Sequence, residues 1–571
     1  MKTKIFCLLV ALVGVIAMLA SCNGDPPPGP GGDGDYNWNK TTLIFELTRN
    51  TCDDELSSEL ERYLVGADYT NAEDIDDMVR ERNELATTTT NVDVRYTYVA
   101  NTDKYGWGAN VDRIHTEVYS GAAQKPDMYC NFAYDLTCAA LKGSFANLNS
   151  TEYGEGRNYF EFTKEGYVEE YEEALAESES SFDSSIGKGY FYDYMRSLSL
   201  SDDKLYCLAS DYCTDLVRAF LVVPVNINLM NSIDVSDSTG DLDDDGDFDI
   251  TDFYKLVWNG DFTYDAIARL SAGVTSDENG DGKENYGDYL GFAAGLGSGL
   301  VSSGLLYTTS VKIINKTPHT NSETGKTYPY SYPETNDALS EFADNLANLF
   351  TKTGIVCVTT SDVQAESSSA GLDDLRGIRA SFAKNMILFG GVIAVGSLED
   401  TAYQEMRDDA DGGFGIAPVP LYKASTTEDP QEYLTLVHNI ARIIAISATT
   451  TKFEQCSAFL NYQSTESADI INEYYNEQLT NSVNTGAAGS DNVRMLDYIR
   501  NHVRNCFDKT YEDAVSRYKL AEDEESMQNR WHEILSRNEF RVTNIRTEYA
   551  SLYSDKQGYL EDIIDEWEKL K

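Results

Sequence analysis

Asp241, Asp243, Asp245, Asp249 and Asp252 stand at positions 1, 3, 5, 9 and 12 of a run that carries Gly246 at position 6. Ca²⁺ takes several hard oxygens from one tight loop, and a glycine in the middle permits the turn. Carboxylates this close repel one another unless a cation lies among them. The spacing therefore predicts a structural Ca²⁺ site, and an acidic, solvated loop is the bland alternative. A second run, Asp277 to Asp288, repeats the pattern with Asp277, Asn279 and Asp281. It fits less well, because Glu284 occupies a position where calcium loops want an apolar side chain. Its alternative is a chain of Asn-Gly and Asp-Gly turns.

Other chemistry leaves no signature. There is no GxSxG elbow, no P-loop and no HExxH. The five histidines (His115, His319, His438, His502, His532) are scattered. With 95 Asp and Glu, a glycosidase-type acid pair is neither found nor excluded. No CxxC appears, which disfavours a zinc ribbon or a thioredoxin-type site. Leaving aside Cys7 and Cys22, the cysteines are Cys52, Cys130, Cys138, Cys207, Cys213, Cys357, Cys456 and Cys506. Cys207 with Cys213, and Cys130 with Cys138, are near enough in sequence to pair. Buried thiols fit equally well. No organic cofactor is implied.

Charge narrows the partners. Lys plus Arg is 45 against those 95 acids, a formal charge of −50. Such a surface repels phosphate backbones and anionic headgroups, so nucleic acid is excluded and membrane contact needs an anchor. The first residues supply one. Lys2 and Lys4 precede an apolar run from Ile5 to Leu19, too short to span a bilayer but of secretory length. The run ends Leu19-Ala20-Ser21-Cys22, which looks like a bacterial lipobox, with Cys22 as the lipidated residue. Residues 1–21 then form a signal peptide, and 22–41, rich in Pro and Gly, a spacer.

The elements come next. At 571 residues the chain holds roughly two to four domains, and 42% apolar residues suffice for a packed core. Thr42 to Thr48 reads as a buried strand, Ala72 to Leu85 as a helix and Val92 to Val99 as a second strand, a parallel βαβ start. A helix at Val111–Tyr119 and a strand at Asp127–Phe132 follow. Further strands are expected at Leu205–Leu208, Ala219–Ile227, Phe414–Pro420 and Ile440–Ile446. Helices are expected at Asp337–Thr351, Lys452–Leu479 and through most of Asn492–Lys571. Ala380 to Val395 runs from a helical start into the apolar MILFGGVIAV. The class is α/β.

Read in order, several pieces resemble bacterial extracellular solute-binding proteins of the carbohydrate-associated family 1. They are TLIFELT, then DDMVRERN (Asp76–Asn83) and NVDVRYTYV, then Val118-Tyr119-Ser120-Gly121 leading to Pro126-Asp127. Next come Trp258 with Phe262-Thr263-Tyr264-Asp265, then Asp277–Tyr286 with Tyr289-Leu290-Gly291-Phe292. Phe382–Gly391, Phe414–Pro420 and Ala458-Phe459-Leu460 with Ser467 complete the series. The helical tail beyond matches no piece of the family.

That resemblance implies a two-lobed type II periplasmic-binding fold with a hinge, one lobe at about 42–145 plus 437–490 and the other at about 146–436 plus 491–571. It implies a monomer on the extracellular face of the bacterial cell membrane that captures a sugar or oligosaccharide and hands it to an ABC transporter permease, without catalysis. A surface glycan-binding lipoprotein without a permease, and a polysaccharide-active enzyme, are the alternatives. Loops at the carboxyl ends of strands line clefts in α/β folds. Candidate ligand groups are therefore Arg49, Asn50, Tyr105, Trp107, Tyr134 and Asp135. Asp211 and Tyr212 precede one crossing strand, and His438 and Asn439 another. Gly390 and Gly391 would let a ligand approach the backbone.

Overall fold

The structure, a computed structural model, describes residues 36, 38–50, 61–66, 74–101, 108, 110–150, 157–160, 189–201, 203–234, 242, 246–278, 280, 282, 284, 287–358, 374–408, 413–438, 441–479, 487–503, 527–536 and 544–570. The chain is α/β and builds two separate sheets. The first contains β1 (Thr41–Asn50), β2 (Val92–Asn101) and β3 (Met128–Phe132). The second contains β4 (Leu221–Asn226), β5 (Leu290–Gly295), β8 (Ile355–Val358), β9 (Ile387–Phe389), β10 (Ile393–Ala394) and β11 (Phe414–Ala417). A short hairpin, β6 (His319–Thr320) and β7 (Thr327–Tyr328), lies between β5 and β8 in sequence. The last strand, β12 (Arg442–Ile446), returns to the first sheet.

The first sheet runs β12-β3-β1-β2. β1 is parallel to β2 and β3, with Leu47 opposite Tyr98 and Cys130. β12 is antiparallel to β3, with Arg442 opposite Phe132. Leu43, Phe45 and Leu47 alternate into the core on one face of β1, while Glu46 and Thr48 are buried on the other. A strand buried on both faces is what a helix-covered parallel sheet requires. The second sheet runs β10-β4-β9-β5-β8, with β11 also on β4. There β5 is parallel to β8 and β9, and β4 is antiparallel to its three partners.

Several expected elements take a different form. Leu205–Leu208 is no full strand: Leu208 makes one bridge to Ile444 on the edge of the first sheet. The apolar run MILFGGVIAV splits into β9 and β10, because Gly390-Gly391 turns the chain between them. Gly391 has φ +74° and a Cβ there would lie 2.5 Å from the Ala293 carbonyl oxygen. Lys452–Leu479 is two helices, Phe453–Thr465 and Ala468–Leu479. Both pack on the helix Asp74–Thr89 of the first lobe, where Arg82 donates to Ser467 Oγ at 2.8 Å. The helix Ala487–Asn501 instead covers β11, with Asn492 Nδ2 donating to the Phe414 carbonyl.

Two crossing segments join the lobes side by side. Leu221 N donates to Leu436 O at 3.0 Å and His438 N to Ala219 O at 2.8 Å, around an antiparallel bridge from Phe220 to Val437. Among the described residues no helix is long and apolar enough to cross a membrane.

Candidate interlobe site

The carboxyl ends of β1, β2 and β3 meet the first crossing segment, and charged groups gather there. Arg442 heads β12, is almost fully buried, and so sits at that end of the sheet. Its guanidinium lies 5.3 Å from the Phe132 ring centroid, donates from Nε to the Thr48 carbonyl at 3.3 Å, and pairs with Asp215. Asp215 belongs to the short helix Thr214–Arg218 that leads into β4. Burial works to raise its carboxyl, but Arg442 and Arg218 outweigh that and hold it below the usual range. Arg218 reaches on to Glu399 at 2.7 Å, and Tyr474 Oη donates to the same carboxylate at 2.8 Å. The series runs from the first sheet through the crossing helix to the second lobe and back to a first-lobe helix. Sequence reading missed Arg442, Asp215, Arg218 and Glu399. The available signal was a charged residue at the head of the apolar run RIIAI.

Near the carboxyl ends of β1 and β2 stand Arg49 and Tyr98. The Arg49 guanidinium stacks 3.9 Å from the Tyr98 ring centroid. Tyr98, on edge strand β2, is 38% exposed, while Tyr96 two residues earlier turns its hydroxyl to that of Tyr212, 3.4 Å away. An exposed ring backed by a cation offers a flat apolar face with a polar rim. Tyr98 was not among the sequence candidates. It lies in the alternating run VDVRYTYV, where each tyrosine reads as a strand residue.

The remaining candidates divide clearly. Asp135 is fully buried and accepts from Gly108 N at 2.7 Å, Asn110 Nδ2 at 3.1 Å and Asn110 N at 3.3 Å. It holds the end of the loop that follows β2. Tyr134 packs beside Gly108. Asp211 is buried and paired with Arg500 at 2.5 Å. Tyr212 is wholly buried under the Arg82 guanidinium, 4.7 Å from its ring centroid, and burial pushes its phenol well above the ordinary value. Gly390 lies where a Cβ would meet Pro224 at 2.8 Å, so both glycines serve packing within the second lobe. His438 is half-buried in the second crossing segment. The Asn50 side chain, Tyr105, Trp107 and Asn439 lie outside the described residues.

Of the acidic loops, Asp241, Asp243, Asp245, Asn279 and Asp281 also lie outside the described residues. Among the described residues no three acids, histidines or cysteines gather as a metal-holding group. What is described of the two loops is alike. Asp252 Oδ1 accepts from Leu242 N at 2.8 Å, and Asp288 Oδ1 from Glu278 N at 3.1 Å, so in each loop the last carboxylate bonds the second backbone amide. Gly246 and Gly282, both at the sixth position, take φ +99° and +77°. Asp249 caps the helix Ile250–Trp258 in a capping box with Asp252. Asp277 accepts from Gly280 N at 2.7 Å and Gly282 N at 2.9 Å. Glu284, the residue that departs from the pattern, accepts from Gly354 N at 2.9 Å and ties its loop to the start of β8. Cys130, Cys138, Cys207, Cys213, Cys357 and Cys456 are all free thiols.

No family model matches the chain, and no curated protein matches it. Solved structures do. The GacH receptor of Streptomyces glaucescens, described unliganded and with acarbose, is 11% identical over 93% of this chain and 100% of that one, with a TM-score of 0.42. An extracellular solute-binding protein from Staphylococcus aureus in complex with maltose is 12% identical over 96% and 98%, with a TM-score of 0.44. The galacto-N-biose-/lacto-N-biose I-binding protein of the Bifidobacterium longum ABC transporter is 12% identical over 94% and 99%, with a TM-score of 0.45. The two sheets, the antiparallel return of β12 and the paired crossings make this chain two α/β bodies joined by two adjacent segments.

Proposed function

We propose that the protein is a lipid-anchored extracellular binder that captures a sugar or oligosaccharide between its lobes and delivers it to an ABC transporter permease. The observation that carries this reading is the paired crossing of residues 219–221 with 436–438. Two α/β bodies joined by a short two-stranded ribbon rotate about it with little internal change, which is hinge closure. The strand carboxyl ends that flank the ribbon supply a guanidinium-backed aromatic face, suited to the apolar side of a pyranose. The reading is one of binding rather than catalysis. Hydrogen bonds from Leu148 N to Leu205 O and between Leu208 and Ile444 support extending the first lobe well past the boundary near residue 145 expected from sequence, to a first crossing at Thr214–Arg218.

Three further features belong to the proposal. Cys22 carries the anchor, so Cys22→Ala should release the protein from membranes, and a variant that stays bound at unchanged mass contradicts this. The loops from Asp241 and Asp277 hold structural Ca²⁺. The protein acts as a monomer. Calorimetric titration with maltose, maltotetraose and lacto-N-biose tests the main reading. The expected result is saturable binding of at least one without product formation, and glycan turnover would overturn it.

A further inference from the structure

The C-terminal helix Ile545–Trp567 lies outside every stretch that resembles a known family, yet it is bonded to both lobes. Its second-lobe anchors line most of its length. Tyr332 N donates to Gln557 Oε1 at 2.9 Å and Asn321 Nδ2 to Glu561 Oε2 at 2.6 Å. Lys326 pairs with Asp565 at 2.6 Å and with Glu568 at 2.7 Å. The preceding helix Met527–Ser536 adds Arg530 to Glu548 at 2.9 Å, and is itself fixed by Trp531 Nε1 donating to Ser302 O at 3.2 Å.

The last turn reaches the other lobe. The Trp567 ring meets the Tyr206 ring edge-on, with centroids 5.0 Å apart, and its Nε1 donates to Ser201 Oγ at 3.1 Å. Lys204 Nζ donates to the carbonyls of Trp567 at 3.3 Å and Leu570 at 2.7 Å, closing the helix end with a cation. Residues 201–206 belong to the first lobe: Leu148 N donates to Leu205 O at 2.6 Å, and Leu208 and Ile444 exchange bonds of 2.7 and 2.9 Å. The second-lobe partners Asp565 and Glu568 flank Trp567, so one turn of helix is bonded to both bodies and resists any rotation that separates them.

We propose that this helix is a strap that sets the equilibrium between interlobe conformations, holding the one described. The proposal goes beyond solute capture and does not depend on which solute binds. A rotation about the crossing ribbon must break the Trp567–Lys204 seat or the second-lobe bonds of Glu561, Asp565 and Glu568. Releasing either set should therefore have the same consequence.

The test uses the full-length protein with spin labels at Glu84 in the first lobe and Asp265 in the second, both exposed. Interlobe distances are read by double electron–electron resonance. Lys204→Met, Trp567→Ala and Lys326→Met should each shift or broaden the distribution relative to the parent, the first-lobe and second-lobe contacts acting in the same direction. A purely structural helix would lower the melting temperature and leave the distributions superposed, and that outcome overturns the proposal. If Trp567→Ala fails to fold, the two lysine variants, which keep their aliphatic stems, decide the question alone.

Discussion

Arg442 shows how a single buried charge is made tolerable. A guanidinium removed from water needs its donors met and its charge opposed. Asp215, the Thr48 carbonyl and the Phe132 ring do this at once. The same residue thereby fixes the carboxyl end of the first sheet to the crossing helix. Its neighbour Tyr98 is the better candidate to touch a ligand, because its ring is exposed and Arg49 already orients it. Losing a large aromatic contact removes about 1.4 kcal/mol or more, or about tenfold in affinity. Tyr98→Ala should weaken sugar binding about tenfold in calorimetry and leave the apo melting temperature nearly unchanged. A large stability loss with unaltered affinity would place the ring in the fold instead of the site. At this scale the sequence was partly legible. Arg49 stood out as the residue after the expected strand Thr42–Thr48, and β1 runs on to include it. Asp135 and Asp211 were equally conspicuous as acids, but what they bond is decided by Asn110 and Arg500, and such pairings do not show in the sequence.

Among the elements, long periodic ones matched expectation and interrupted ones did not. Asp337–Leu349 and β1 follow their hydrophobic spacing. The break at Glu466-Ser467 and the turn at Gly390-Gly391 depend on tertiary contacts, such as Arg82 reaching Ser467 Oγ. The acidic loops are the clearest element-level motif, and their twin closing bonds from Asp252 and Asp288 give the spacing a physical basis. If calcium fills them, chelation should lower the melting temperature, since a ligand bound only to the folded state stabilises it. An unchanged transition in EDTA would contradict that proposal. The seam between the helix Ala487–Asn501 and residue 211 makes a pH prediction. Burial raises the Asp497 carboxyl to about 7; Arg500 lowers it and Asp211 adds to the rise. An acid raised above its unfolded value binds more protons when folded, so its contribution is greatest at low pH and is lost as pH rises through about 7. Asp497→Asn should raise the melting temperature more at pH 8 than at pH 5. Equal effects at both values would remove the titration from the explanation.

For the molecule as a whole, periodicity reveals neither the return of β12 to the first sheet nor the pairing of the two crossings, since both join residues more than two hundred positions apart. Only the order of the family-like pieces pointed there. With the crossings in place, the strand-end aromatic and the strap both bear on the event proposed here, rotation of two bodies about residues 219–221 and 436–438. Small-angle X-ray scattering, with and without whichever of maltose, maltotetraose or lacto-N-biose binds by calorimetry, measures that rotation most directly. A two-lobed binder that closes on its solute should show a smaller radius of gyration when loaded, with unchanged mass. Saturable binding with superposable scattering curves would contradict hinge closure as the way this protein takes up its ligand.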